Sequence, residues 1–160
     1  MKSIYPEIGK RKALSFLLLF CVLLLSSCGR YSQETEALEE YRTQMEDFFD
    51  KVSAMDERIR SIDTSSETAD QEFLSAVDML TSIISDATVL DPPDLFPDAK
   101  TLLEQAAQQM SASRKLYHET FEGETFDAET FNEAEESFKD CNNTLLRLAK
   151  YLQSIADDEL

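Results

Sequence analysis

Residues 38–62 read LEEYRTQMEDFFDKVSAMDERIRSI, and this stretch decides the fold class of the chain. Its apolar residues recur at alternating steps of three and four: Leu38, Tyr41, Met45, Phe48, Val52, Met55, Ile59 and Ile62. This spacing places the side chains on one stripe of an α-helix, because a strand would require strict alternation. The stripe is about 37 Å long at the helical rise per residue. A single helix cannot bury such a stripe, so it predicts partner helices.

A second stripe with the same spacing lies near the end of the chain. Its members are Phe131, Ala134, Phe138, Cys141, Leu145, Leu148, Leu152 and Ile155. Two stripes of equal length and phase fit neighbouring helices of one bundle, and two further helical patterns lie between them. We therefore predict an all-α fold, an up-and-down antiparallel four-helix bundle. The predicted helices span about residues 32–62, 65–90, 98–121 and 128–157.

Local signals predict where the helices begin and end. Thr64 and Glu67 match a capping box that would start the second helix. Pro92 would end that helix, since residues before proline avoid helical geometry. Gly123 would stop the third helix, and Asp127 would cap the fourth.

The beginning of the chain has the pattern of an export signal. Four basic residues precede an apolar run at residues 13–25, which is shorter than the roughly 20 residues that span a bilayer. The run ends in Leu25-Ser26-Ser27-Cys28, an aliphatic residue and two small residues before a cysteine. This tetrapeptide resembles the lipobox of bacterial lipoproteins.

The lipobox resemblance implies cleavage between Ser27 and Cys28, so that residues 1–27 are removed and residues 28–160 form the mature bundle domain. It also implies that Cys28 carries a covalent lipid. The protein would then be anchored to the extracytoplasmic face of a bacterial membrane. Gly29 follows the cysteine where Asp would signal inner-membrane retention, so in a bacterium with two membranes the outer one is favoured.

Composition limits the function further. The chain has 160 residues, a length that suits one domain with a single core. It contains 15 Lys and Arg against 32 Asp and Glu, a formal net charge of −17. A nucleic-acid backbone would be repelled by this surface, so we exclude nucleic acid as a partner. Solubility is the simplest reason for such acidity.

Residues with catalytic potential are scarce. His118 is the single histidine, so a nucleophile–histidine pair would have to use it. Its acidic neighbours Glu119 and Glu122 favour a solvated or carboxylate-paired histidine instead. One histidine also cannot supply the ligands of a ferritin-like di-metal site. We predict no catalytic residue.

Metal ligands and disulfides are likewise not expected. The acidic linker at residues 91–98 lacks the glycine-containing spacing of a calcium loop, so its aspartates are expected to cap helices and stay solvated. Cys21 would be lost with the signal and Cys28 acylated, which leaves Cys141 as a small buried apolar residue. We predict no metal site and no cofactor other than the lipid on Cys28.

Two phenylalanines in an acidic loop are the candidate partner contact. Phe121 and Phe126 are flanked by Glu122, Glu124 and Asp127. An aromatic pair surrounded by acids fits a protein with a basic surface. The alternative is that both rings cap the core between the third and fourth helices.

The sequence therefore favours a noncatalytic binding or assembly module at the cell envelope. From Pro92 onward, the proline-marked turn and the helix with Ala106, Met110 and Tyr117 resemble small helical lipoproteins of bacteria, which implies no activity. The first alternative is a carrier of a small ligand or cation with a pocket between helices. A hydrolytic enzyme using His118 or a carboxylate pair is the second.

Overall fold

The computed structural model of the protein describes residues 33–158, and it describes side-chain environments for residues 36–154. This part of the chain consists of helices and their connections, without strands, which confirms the predicted all-α fold with four helices. The helices are α1 (Gln33–Ser61), α2 (Ala69–Ala87), α3 (Ala99–Glu122) and α4 (Ala128–Asp158). Within the same range, no helix combines the length and apolar content that crossing a membrane requires.

The predicted stripe of α1 faces the core, most completely in its first half. Tyr41, Met45 and Phe48 are buried, and Phe49 beside them is buried too. The later members pack against the same core but stay partly exposed: Val52, Met55 and Ile59. The most extensive helix contact is between α3 and α4, whereas α1 packs mainly on α2, so α1 and α4 are not the close neighbours that their matching stripes predict. The second half of α1 is therefore less covered than the first.

The connection into α2 differs from the prediction. Asp63 accepts hydrogen bonds from the Ser65 N–H at 3.0 Å and the Ser65 hydroxyl at 2.7 Å, which turns the chain at this point. The capping box expected from Thr64 and Glu67 does not form, because these residues lie within the turn. The helix begins at Ala69, after Thr68.

The end of α2 also comes earlier than expected. The helix stops at Ala87, and the Thr88 hydroxyl donates to the Ser85 carbonyl oxygen at 2.7 Å. The chain then runs in an extended and turning path through the proline pair to the start of α3. Proline thus marks the linker, while the helix ends about a turn before it.

Small residues let α3 and α4 approach closely. The Ser113 hydroxyl donates to the carbonyl oxygen of Ala134 at 2.9 Å, and both residues are buried. The Thr144 hydroxyl donates to the Gln109 side chain at 2.8 Å. Cys141 is 1% exposed, and burial raises the pKa of its thiol to about 12. Cys141 is therefore the buried, un-ionised thiol that its position predicts.

The linker between α2 and α3 is fastened to the helices by Phe96. This ring is buried, with its centroid 5.7 Å from that of Tyr41 and 6.4 Å from that of Tyr151. The Asp98 N–H donates to the Tyr151 hydroxyl at 3.3 Å. These contacts bring the first half of α1, the start of α3 and the last part of α4 together at one end of the molecule.

Candidate functional site

Six aromatic rings gather where α2 begins, α3 ends and α4 begins. We call this cluster the aromatic end, and its members are Phe73, Tyr117, Phe121, Phe126, Phe131 and Phe138. The Phe121 ring is central, with its centroid 5.6 Å from Phe73, 6.0 Å from Phe131 and 6.4 Å from Phe126. Edge-on and tilted contacts of this kind add favourable energy to the burial of the rings.

Phe121 and Phe126 do come together, but their surroundings differ. Phe121 is half-buried and packs against the core. Phe126 lies in the loop between α3 and α4 with 49% of its surface exposed, while its ring stays 5.6 Å from that of Phe131. The rings therefore form a continuous apolar path from the core to the solvent. Of the two, Phe126 is the one available to a partner.

The inner part of the aromatic end is fixed by Tyr117. Its ring is buried and meets Phe73 edge-on at a centroid distance of 4.8 Å. Its hydroxyl donates to a carboxylate oxygen of Glu135 on α4. Burial, and then the hydrogen bond and negative charge of Glu135, raise the pKa of Tyr117 well above its ordinary value. Tyr117 thus remains a neutral donor that ties α3 to α4.

The loop that presents Phe126 has a defined shape. A Cβ atom on Gly123 would lie 2.8 Å from the carbonyl oxygen of Glu119, so any side chain at this position would press on the end of α3. Gly123 follows the last residue of α3, as its sequence position predicts.

Asp127 caps α4 on the other side of this loop, also as predicted. Its carboxylate accepts the Glu129 N–H at 3.1 Å and the Thr130 hydroxyl at 2.6 Å. The hydrogen bonds from Thr130 and Glu129 hold the pKa of Asp127 below its usual value, so the cap stays charged. Glu122 and Glu124 are also exposed, which places negative charge around Phe126.

His118 lies in an ion-pair network between α2 and α3. Its Nε2 is 2.9 Å from the Asp78 carboxylate, and its Nδ1 is 2.9 Å from the Glu122 carboxylate. Arg114 donates to the same Asp78 oxygen at 2.6 Å. The carboxylate-paired interpretation of His118 is confirmed, and Asp78 is a partner that sequence spacing does not reveal.

The network shifts the pKa values of its members. The hydrogen bond to Asp78 raises the pKa of His118, and the bond to Glu122 adds to this despite partial burial. Burial by itself raises the pKa of Asp78, but the hydrogen bonds from His118 and Arg114 outweigh it and bring the pKa below its usual value. Both ring nitrogens of His118 are occupied, which is typical of a protonated histidine in a structural ion pair.

A second surface feature is an open groove between the start of α3 and the last part of α4. Its volume is about 630 Å³, and we refer to it as the groove. The residues that define it are Asp98, Leu102, Gln105, Arg147, Lys150 and Tyr151. Sequence reasoning missed this feature, because it depends on the register between two helices. The sequence feature that could have indicated it is the absence of acidic residues from residues 141–156 in a strongly acidic chain.

The remaining predictions concern other parts of the chain or other chemistry. The predicted cleavage and lipidation residues, Ser27 and Cys28, lie outside the described residues. Among residues 33–158, no group of three or more His, Cys, Asp or Glu side chains is placed to hold a metal ion. Comparison of the chain with protein families, with curated proteins and with solved structures finds no match.

Proposed function

We propose that this protein is a noncatalytic binding or assembly module, anchored through a lipid on Cys28 to the extracytoplasmic face of a bacterial membrane. In a bacterium with two membranes the anchor favours the outer one. The observation that supports the binding role is Phe126, which is 49% exposed at the surface of an otherwise packed aromatic cluster. A large apolar ring backed by rigid neighbours is the usual anchor of a protein–protein contact.

Helix contacts support the up-and-down antiparallel arrangement. Phe73 near the start of α2 meets Phe121 near the end of α3. Tyr117 on α3 in turn meets Phe131 near the start of α4. At the opposite end, the linker residue Phe96 contacts Tyr41 on the first half of α1. The first two contacts pair the start of one helix with the end of its neighbour, and the third brings the linker after α2 to the first half of α1, as antiparallel neighbours require.

This arrangement directs the aromatic end away from the bilayer. Five residue steps separate Cys28 from Gln33, where α1 begins, so at most about 17 Å of extended chain joins lipid to bundle. The Phe96 end, which holds the first half of α1, then faces the membrane. The 24 residues of α3 place the Phe121–Phe126 loop about 36 Å farther out.

Charge indicates the kind of partner. Glu124 and Asp127 flank Phe126 in the sequence, and Asp127 stays ionised as a helix cap, while the nearby Glu122 carboxylate pairs with His118. A partner with an apolar pocket and a basic rim is complementary to this surface. The acidic rim contributes mainly to the rate of association and to specificity, whereas burial of Phe126 contributes most of the affinity.

The core favours this role over a carrier with an internal pocket. Buried residues from all four helices and the linker form one cluster, and the largest include Met45, Ile84, Leu103, Met110 and Leu148. A filled core with an exposed apolar patch is typical of an interaction module, and the exposed Phe126 ring is continuous with the half-buried rings of Phe121 and Phe131. His118, one of the two candidates for a hydrolytic mechanism, has both ring nitrogens engaged by carboxylates.

Site-specific photocrosslinking in the native membrane tests the proposal. A photoreactive amino acid replaces Phe126 in one strain and Leu146 in another, and crosslinked proteins are identified by mass spectrometry. Leu146 is the matched control because it is 50% exposed and apolar but lies on α4, outside the aromatic end. We expect a discrete protein adduct at position 126 and none of that identity at position 146. Identical adducts at both positions, or none at position 126, would contradict the proposal.

A further inference from the structure

Acidic residues are unevenly distributed over this chain. Although Asp and Glu number 32 against 15 Lys and Arg, residues 105–118 of α3 and 141–156 of α4 contain no carboxylate. The same two segments contain four basic residues, of which Arg147 and Lys150 line the groove. Where α3 and α4 meet, the surface therefore departs from the acidity of the rest of the protein.

Arg147 and Lys150 are placed to act together. They are three residues apart on α4, so they lie on the same face of the helix, about one turn from each other. Both line the groove. Within the described residues, no carboxylate lies at ion-pair distance from Arg147. In a protein with a twofold excess of acids, a guanidinium facing a groove without an ion-pair partner is available to an external anion.

Neutral donors line the same groove. The Tyr151 hydroxyl accepts the Asp98 N–H, which leaves its own proton to be donated to another group. Gln105 adds a side-chain amide. The groove also reaches the first turn of α3, where the Asp98 side chain makes no capping hydrogen bond. The Ala99 N–H donates to the Phe96 carbonyl oxygen, which leaves the next two N–H groups of this turn to add to the attraction for an anion.

Two other features restrict what the groove accepts. The Asp98 carboxylate also lines it, so a ligand needs a hydrogen-bond donor in addition to its anionic group. Leu102 and the Tyr151 ring provide an apolar wall. The volume of about 630 Å³ exceeds the size of a bare phosphate and falls within the range of about 300–1,000 Å³ that small-molecule sites occupy.

We propose that the groove binds the phosphate ester of a small polyol. The phosphate accepts charge-assisted hydrogen bonds from the Arg147 guanidinium, and the positive charge of Lys150, one helical turn away, adds to the attraction. The polyol hydroxyls donate to Asp98 and accept from Gln105, while the carbon skeleton rests on Leu102 and Tyr151. The same chemistry is offered by a free phosphate ester and by the headgroup of a phospholipid such as phosphatidylglycerol. This site lies at the opposite end from Phe126 and does not depend on the proposed partner contact.

Calorimetric titration of the full-length protein in neutral detergent tests the site, with glycerol phosphate as the probe and glycerol as the uncharged comparison. We expect binding of glycerol phosphate that weakens as salt is added, because the contacts are ionic. The double variant Arg147→Gln, Lys150→Gln should weaken binding by about tenfold or more. Lys139→Gln is the matched control, since it removes an exposed positive charge from α4 outside the groove. Absence of binding, or equal weakening by Lys139→Gln, would overturn the proposal.

Repeating the titration in bilayers distinguishes a free phosphate ester from a phospholipid headgroup as the ligand. The protein is reconstituted into phosphatidylcholine alone, with phosphatidylglycerol, or with a fatty acid at the same surface charge. If the lipid headgroup occupies the groove, phosphatidylglycerol weakens glycerol phosphate binding more than the fatty acid does. If the protein binds glycerol phosphate with equal affinity in the phosphatidylglycerol and fatty-acid bilayers, the ligand is a free phosphate ester. The detergent titration does not require lipidation of Cys28. A protein without the lipid anchor would therefore still bind glycerol phosphate, whereas a protein without the proposed site would not.

Discussion

At the scale of single residues, the least predictable contact is the one between His118 and Asp78. Sequence spacing indicates only that acids lie nearby, whereas the structure places the Asp78 carboxylate, forty residues away, at 2.9 Å from Nε2. This pairing depends on how α2 packs against α3. Composition predicts the type of environment, but the identity of the partner requires the tertiary contact.

The His118 network predicts a pH-dependent contribution to stability. The hydrogen bond to Asp78 raises the folded-state pKa of His118 above 6.5, so the contribution is complete below that pH and is lost as pH rises through the raised pKa. Asp78 has a lowered pKa, so its contribution is present above 3.8 and is lost as pH falls through the folded value. The window of maximal stabilisation therefore lies between these two reference values.

Denaturant unfolding of the protein and of His118→Gln at a series of pH values measures this effect. We expect the difference in unfolding free energy to be largest near about pH 5 to 6 and to shrink toward alkaline pH. Lys115→Gln is a suitable control, because it removes an exposed ion pair with Glu119 on the same helix. A difference that is constant from acid to alkaline pH would show that His118 acts through packing alone.

The proposed anchor also depends on one residue, Cys28. The lipobox predicts that Cys28→Ser blocks both lipid attachment and the cleavage that follows it. Metabolic labelling with a palmitate analogue, together with the apparent mass of the protein, measures both effects. Cys141→Ser is the matched control, because this thiol is buried and should accept no lipid. Normal labelling of Cys28→Ser would exclude this cysteine as the attachment site.

At the scale of helices, the stripes of α1 and α4 are predictable because the periodicity of each extends over about seven turns. The ends of α2 are not, since Thr64–Glu67 is an acceptable capping box while Asp63 offers a competing turn with Ser65. The capping box and the Asp63 turn use overlapping residues, so only one of them can form, and the structure has the turn. The groove could not be predicted either, because Asp98 and Tyr151 meet only once α3 and α4 adopt their register.

Burial within the stripes predicts unequal costs of truncation. Phe48→Ala and Leu145→Ala remove buried side chains and should cost about 3–5 and 2–5 kcal/mol, respectively. Val52→Ala should cost less than either, because Val52 belongs to the less covered half of α1. Glu40→Ala on the outer face should stay within about 0.5 kcal/mol.

Denaturant unfolding of these variants gives the free energies directly. The ranking, with Val52 between Glu40 and the two buried residues, is the informative result. If Val52→Ala costs as much as Phe48→Ala, the second half of α1 is more fully covered in solution than its contacts here indicate. A covering partner, including a second copy of the chain, would then be required.

At the scale of the whole molecule, the two ends differ in chemistry. The Phe96 end carries the groove with Arg147 and Lys150, whereas the aromatic end carries Phe126 among carboxylates. The proposed tether at Cys28 would convert this difference into an orientation, with the groove toward the phospholipid surface and the aromatic end away from it. The Phe96 end also carries the linker carboxylates Asp91, Asp94 and Asp98, which anionic headgroups repel, so the orientation depends on the tether and not on the net charge of this end.

Spin labels at Ser65 and Asp94 test that orientation in the lipidated protein reconstituted into vesicles. Both positions are exposed, so labelling disturbs little packing. Ser65 follows the far end of α1, which has 29 residues and is about 43 Å long, whereas Asp94 lies in the linker that Phe96 fastens to the first half of α1. We expect the Asp94 label to lie nearer to labelled lipid headgroups. A Ser65 label closer to the bilayer would show that the up-and-down arrangement, or the anchor at Cys28, is wrong, and the palmitate experiment separates the two.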